Sequence, residues 1–180
     1  MTNKKKVVLG VTGSVATIKA PELIELIKNA GHDVKLVATQ PSLYFLPEDN
    51  SWIDKIYTDG DEWPNGIYTR NDDVMHIDFR KWADILISAP ISANTLAKIA
   101  HGICDNFLTC IARAWDKSKP LIIAPAMNTN MWTDPITQEH IELIRKRYNL
   151  IVIDPIDKNL ACGDKGMGAM AKIEDIAKAI

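Results

Sequence analysis

The sequence predicts a single-domain α/β fold, a parallel sheet with helices on both faces. Short apolar, β-rich runs alternate along the chain with segments whose apolar residues recur at helical spacing, and strands followed by crossover helices imply parallel pairing. The chain has 180 residues, 47% hydrophobic and 24% charged, which suffices for one well-buried core and is short for two. Residues 1–180 are therefore read as one domain.

Each element has its own signal. "KVVLGVT" (6–12) reads as a buried strand feeding the turn Thr12-Gly13-Ser14. From Pro21, the residues Leu23, Leu26, Ile27 and Ala30 recur at helical spacing, and Gly31 is placed to stop that helix; Pro21 marks a kink or a restart. "DVKLVAT" (33–39), "ADILISAP" (83–90), "KPLIIAP" (119–125) and "NLIVIDP" (149–155) are four further strands, the last of them closing the series. Residues 92–116 hold one or two helices around Gly102, and "TDPITQEHIELIRKRY" (133–148) is a helix begun by Asp134-Pro135. Residues 41–73 are rich in turn formers, without a long periodic pattern, and read as an excursion.

The bulk properties exclude several function classes. A formal net charge of −2, from 21 basic and 23 acidic residues, argues against nucleic acid as a partner. The run Lys4-Lys5-Lys6 reads as a solvated start to the first strand. No stretch has the apolar length of a membrane span, and the N-terminus lacks the apolar core of a signal peptide. Cys104, Cys110 and Cys162 form no CxxC pair, so a reducing, cytoplasmic setting and no metal site are expected.

In a parallel sheet the ligand crevice lies beyond the C-terminal ends of the strands. Three turns reach that edge: Gly13-Ser14-Val15 after the first strand, Thr39-Gln40 after the second, and Ser92-Ala93-Asn94-Thr95 after the third. Each alone fits an ordinary helix cap. Converging, they suggest a phosphorylated ligand with several hydroxyls, its phosphate met by free amides at a helix start. The glycines do not follow G-x-G-x-x-G, and no Walker lysine is present. A mononucleotide such as FMN fits better, with Met127 and Met131 as polarizable walls for an apolar ring.

"APAMNTNMW", "ISANT" and "GVTGSVA" resemble the PxMNxxMW, SANT and phosphate-turn motifs of the homo-oligomeric flavin-containing cysteine decarboxylases. "VMHIDFRKWAD", "GICDNFLTCIARAWDKSKP" and "LACGDKGMGAMA" are similar, in order and spacing, to the eukaryotic members that act on phosphopantothenoylcysteine, and the resemblance covers residues 7–173. It implies a flavodoxin-like (Rossmann-like) FMN domain in a homotrimer, with the cofactor near subunit contacts. Gly13, Ser14, Val15, Thr39, Gln40, Ser92, Ala93, Asn94, Thr95, Ala126 and Met127 would contact FMN, Ala126 leaving room for the ring.

The resemblance also implies a reaction, the conversion of 4'-phosphopantothenoylcysteine to 4'-phosphopantetheine in coenzyme A biosynthesis. Direct loss of CO₂ from an acylated cysteine leaves a carbanion that nothing delocalises. Oxidation at the thiol-bearing carbon first makes a thioaldehyde, an electron sink β to the carboxylate; CO₂ then leaves an ene-thiol, which is protonated and reduced. His76 matches the family's base at the substrate thiol, and Cys162 its proton donor to the ene-thiol. Asn128 would hold the substrate's carboxylate or amide, with Asn159, Leu160 and Ala161 as further substrate contacts. Glycines 163, 166 and 168 would let the segment carrying Cys162 fold over the substrate.

The remaining candidates have structural readings. Trp132 is read as a buried brace, His32 as a loop residue, His101 and His140 as helix residues, and Cys104 and Cys110 as buried helix residues. Two alternatives carry other functions: a non-catalytic regulatory flavoprotein that binds a protein phosphatase, disfavoured because His76, Asn128 and Cys162 are all present and no acidic tail is seen, and a peptide-cysteine decarboxylase, which would share the chemistry. A plain FMN electron carrier would need neither the cysteine segment nor an Asn in the signature.

Overall fold

A strand that is covered on both faces needs no alternation of polar and apolar residues, and this is how the central run folds. In the computed structural model, which describes residues 4–63, 67, 69–70, 72–159 and 165–180, all of β1 (Lys6–Val11) beyond Lys6 is buried. It pairs in parallel with β2 (Asp33–Ala38) on one side and β4 (Ile85–Ile91) on the other. The sheet is completed by β3 (Ile56–Tyr57), β5 (Pro120–Pro125) and β6 (Asn149–Val152), in the order β3-β2-β1-β4-β5-β6, with every pairing parallel. The order reverses between β1 and β4, so the crevice expected of such a sheet opens there.

Successive side chains of each strand face opposite ways and define two cores. Val7, Leu9, Leu36, Ile87 and Ile122 pack under α1 (Ala20–Asn29) and α8 (Ile173–Lys178). Val8, Val37, Leu86, Leu121 and Ile123 pack under α3 (Met75–Trp82), α4 (Ala93–His101), α5 (Phe107–Ala114) and α7 (Pro135–Arg145). In α1, Leu23, Ile24 and Ile27 are fully buried, each stabilising the layer by about 1.5–3 kcal/mol. Pro21 stands in the first turn of α1 after a 3-10 segment (Val15–Lys19), so it restarts the helix and does not kink it. Gly31, at φ +90°, ends that helix in the left-handed conformation that favours glycine.

The structure departs from the sequence reading at three places. The excursion carries a sixth strand, β3, and a one-turn helix, α2 (Asp59–Glu62), both too short to show a period. The strand read over 149–155 ends at Val152, and it is not the last: β7 (Ile156–Asn159) and β8 (Lys165–Ala169) form an antiparallel hairpin. Gly166 and Gly168 deprive β8 of the β-branched alternation that announces a strand. Cys104 is exposed in the turn before α5 and not buried in a helix, whereas Cys110 is half-buried on α5. His32, His101 and His140 lie in a loop and two helices, as read.

Candidate active site

Hydrogen bonds draw the three polar turns together at the C-terminal edge. The hydroxyl of Thr12 donates to the Pro90 carbonyl at 3.0 Å and accepts from the Ser92 amide at 2.8 Å, tying the turn after β1 to the turn after β4. The Thr39 amide donates to the Val11 carbonyl at 3.1 Å, and the buried Thr39 hydroxyl donates to the same carbonyl. Ser14 caps the 3-10 segment by accepting from the Ala16 amide at 3.4 Å, and Ser92 caps α4 by accepting from Thr95. Thr95 is buried, whereas Gln40 and Asn94 are exposed. Several of these polar groups therefore build the edge itself.

Beside this edge, on the α1 and α8 side, lies a cavity of about 520 Å³, within the range of cofactor sites. Ser14, Val15, Ala126, Met127, Asn128 and Gly168 line it, which brings together residues from the first turn, the end of β5 and the hairpin. Ala126 is buried and offers one methyl group. The amide of Met127 donates to the Gly168 carbonyl at 3.0 Å, and a Cβ on Gly168, whose φ is +145°, would stand 2.2 Å from the Met127 carbonyl oxygen. Only a glycine lets the hairpin close against this loop. The cavity's small methyl floor, its thioether and the capped Ser14 turn fit a flat apolar ring with an anionic tail. Thr39, Gln40 and residues 92–95 do not line this cavity.

Asn128 begins α6 (Thr129–Thr133), its Oδ1 accepting from the Asn130 amide at 2.8 Å. That commitment orients the amide, whose Nδ2 end carries the donor hydrogens a carboxylate needs. Trp132, read as a buried brace, packs against the core but is only half-buried. Met131 is 51% exposed and is not a cavity wall. Asn159 contributes its backbone to β7, while its side chain, Leu160, Ala161, Cys162 and Gly163 lie outside the described residues.

His76 occupies the first turn of α3, where its Nδ1 pairs with the buried carboxylate of Glu62 on α2. Sequence reading passed over Glu62, because no periodic pattern marks it as buried and 14 residues separate it from its partner. His76 is absent from the cavity lining, and α3 covers the opposite face of the sheet from α1 and α8. Burial, with Glu62 nearby, pushes the Cys110 thiol up to about 11, so it stays protonated at neutral pH. Among the described residues no group of His, Cys, Asp and Glu could hold a metal ion.

Known proteins share this fold. The Flavoprotein family model matches residues 1–180. A phosphopantothenoylcysteine decarboxylase of Oryza sativa subsp. japonica is 51% identical over 171 residues, 94% of this chain and 76% of that protein. Among solved structures, a PPC decarboxylase variant complexed with pantothenoylaminoethenethiol superposes with a TM-score of 0.91 at 46% identity, covering 98% of this chain and 96% of that one. The FMN binding protein AtHal3 gives 0.87 at 47% identity, covering 98% and 95%. Fold and cavity define a flavodoxin-like flavoprotein of a single parallel α/β sheet. The chain belongs to the flavoprotein family and, within it, to the phosphopantothenoylcysteine decarboxylases.

Proposed function

We infer that this chain is an FMN-dependent carboxy-lyase that converts 4'-phosphopantothenoylcysteine to 4'-phosphopantetheine in coenzyme A biosynthesis. The observation that carries this reading is the near-complete superposition on a PPC decarboxylase holding pantothenoylaminoethenethiol, together with a cavity built from the same chain's Ser14 turn and PxMNxxMW loop. Bound FMN would supply reversible hydride chemistry, so the cycle would need no external reductant. Gly13, Ser14 and Val15, with Thr39, Gln40 and residues 92–95 at the same edge beside the cavity, would hold its phosphate and hydroxyls, and Ala126 and Met127 would border its ring.

The protein's own contributions are position and protons. Asn128 holds the substrate's carboxylate or neighbouring amide. His76 takes the thiol proton as the thioaldehyde forms, a transfer typically worth about 10²–10⁴-fold. After CO₂ departs, Cys162 protonates the ene-thiol, with Asn159, Leu160 and Ala161 as further substrate contacts. The resemblance implies a homotrimer, and the separation of His76 from the cavity across the sheet supports a site in which one subunit's His76 serves its neighbour. No helix among the described residues is long and apolar enough to cross a membrane, and a cytoplasmic location fits the two described cysteines, which are free thiols.

Substrate profiling tests the assignment. Phosphopantothenoylcysteine should be turned over at a kcat/KM far above that of any peptide ending in cysteine. A preference for the peptide would make this a peptide-cysteine decarboxylase, and binding of FMN without turnover of either would favour the regulatory alternative.

A further inference from the structure

We propose that Glu62 is a positioning residue of this reaction: its buried carboxylate accepts the Nδ1–H of His76 and leaves Nε2 as the bare nitrogen that meets the substrate thiol. The inference rests on the reading of His76 as the base. A carboxylate removed from water is unfavourable unless a charged or hydrogen-bonding partner meets it, and among the described residues His76 is that partner. The ring nitrogen that carries the proton is set by the hydrogen bond the other nitrogen makes. With Nδ1–H committed to Glu62, the Nε2 lone pair is the one available to a thiol. In the step itself the thiol's S–H bond breaks and an Nε2–H bond forms, while Glu62 remains a carboxylate facing the imidazolium.

The short helix that carries Glu62 is fastened in a way that serves this purpose. Thr58 and Asp61 close a capping box over α2, with the Thr58 amide donating to Asp61 at 2.8 Å. Asp61 is also paired with Lys55 at 2.7 Å. Asp59 accepts from the Phe107 amide at 2.8 Å, which pins α2 to the start of α5. Of the other ionisable groups facing the pair, Asp59 and Asp61 have these partners, and the Cys110 thiol on α5 stays protonated, with the exposed Cys104 beyond it; Asp78 lies two residues on from His76 in α3 and acts electrostatically on Lys35. Glu62 is thus the carboxylate aimed at the imidazole.

The test uses the FMN-loaded protein with histidine labelled in ¹⁵N, and the variants Glu62→Gln and His76→Asn. In the unmodified protein, the neutral form of the His76 ring should show a protonated Nδ1 and an unprotonated Nε2. Any other state overturns the proposal, and this reading needs no variant to fold. Glu62→Gln can present either end of its amide to Nδ1, so the tautomers should mix and kcat should fall by about tenfold or more, part of the ~10²–10⁴ available to proton transfer, with KM and FMN affinity within about twofold. Normal kcat and an unchanged tautomer in Glu62→Gln would refute the role of Glu62 while leaving His76 as the base. Normal turnover by His76→Asn would instead remove the reading on which the proposal rests, and the proposal with it.

Discussion

At the scale of single residues, the order of proton transfers makes the sharpest distinction. If Cys162 acts only after CO₂ has gone, Cys162→Ser should still release CO₂ once per site, because a hydroxyl is a far weaker acid than a thiol of ordinary pKa about 8.5. Mass spectrometry should then find an oxidised product two hydrogens lighter than 4'-phosphopantetheine. Phosphopantetheine formed at the normal rate would make the cysteine structural; no CO₂ at all would place its role earlier. The sequence nominates His76 and Asn128 because each sits in a run that resembles a family motif, "VMHIDFRKWAD" and "APAMNTNMW". Glu62 was not legible: its burial and its pairing arise from tertiary contact across the excursion, and local pattern carries no trace of either.

The hairpin shows at the scale of elements how a site can depend on backbone alone. β8 crosses the loop after β5 so closely that Gly168 has no room for a side chain, and its φ of +145° would strain any other residue. Gly168→Ala should cost about 1–3 kcal/mol from backbone strain and push the hairpin off the Met127 loop. Thermal melting and FMN titration should both register the change; an alanine variant with unaltered Tm and affinity would show that the hairpin is not held there. The long buried strands were readable because a short, continuous apolar run bounded by turn formers is the pattern of a strand covered on both faces. β3, with two residues, and the glycine-bearing hairpin were not, since both depend on the neighbours they pair with.

Two properties belong to the whole molecule. His140 is buried between α7 and α4, where its Nε2 lies 3.2 Å from that of His101. Burial first, then the neighbouring His101, lowers its pKa below the ordinary 6.5. Its folded form is therefore favoured as the neutral ring, and the unfolded chain binds more protons below that ordinary value. The stability contributed by the neutral ring is present above pH ~6.5 and is lost as pH falls through the depressed folded value. Melting curves recorded across that range should show Tm falling toward acid, and His140→Gln should flatten the dependence; an equal slope in the variant would rule His140 out as its source.

The second property is the proposed assembly. The cavity and His76 lie on opposite faces of one sheet, and a site completed between subunits, if that proposal holds, could be reassembled from two defective chains. His76→Asn should be inactive, and so should Asn128→Asp, which keeps a good helix cap but sets a carboxylate against the substrate's own. Refolding the two together should restore turnover that neither has alone. No recovery in mixed oligomers would place both residues in one subunit's site.

The proposed reaction is an internally balanced redox decarboxylation, and the stoichiometry of the FMN-loaded protein reports on that balance without any variant. Supplied anaerobically with phosphopantothenoylcysteine and no external reductant, it should release CO₂ and 4'-phosphopantetheine in equal amounts over many turnovers, with the flavin oxidised at the end. CO₂ release that stops after one turnover per site, or that requires an added reductant, would contradict that proposal.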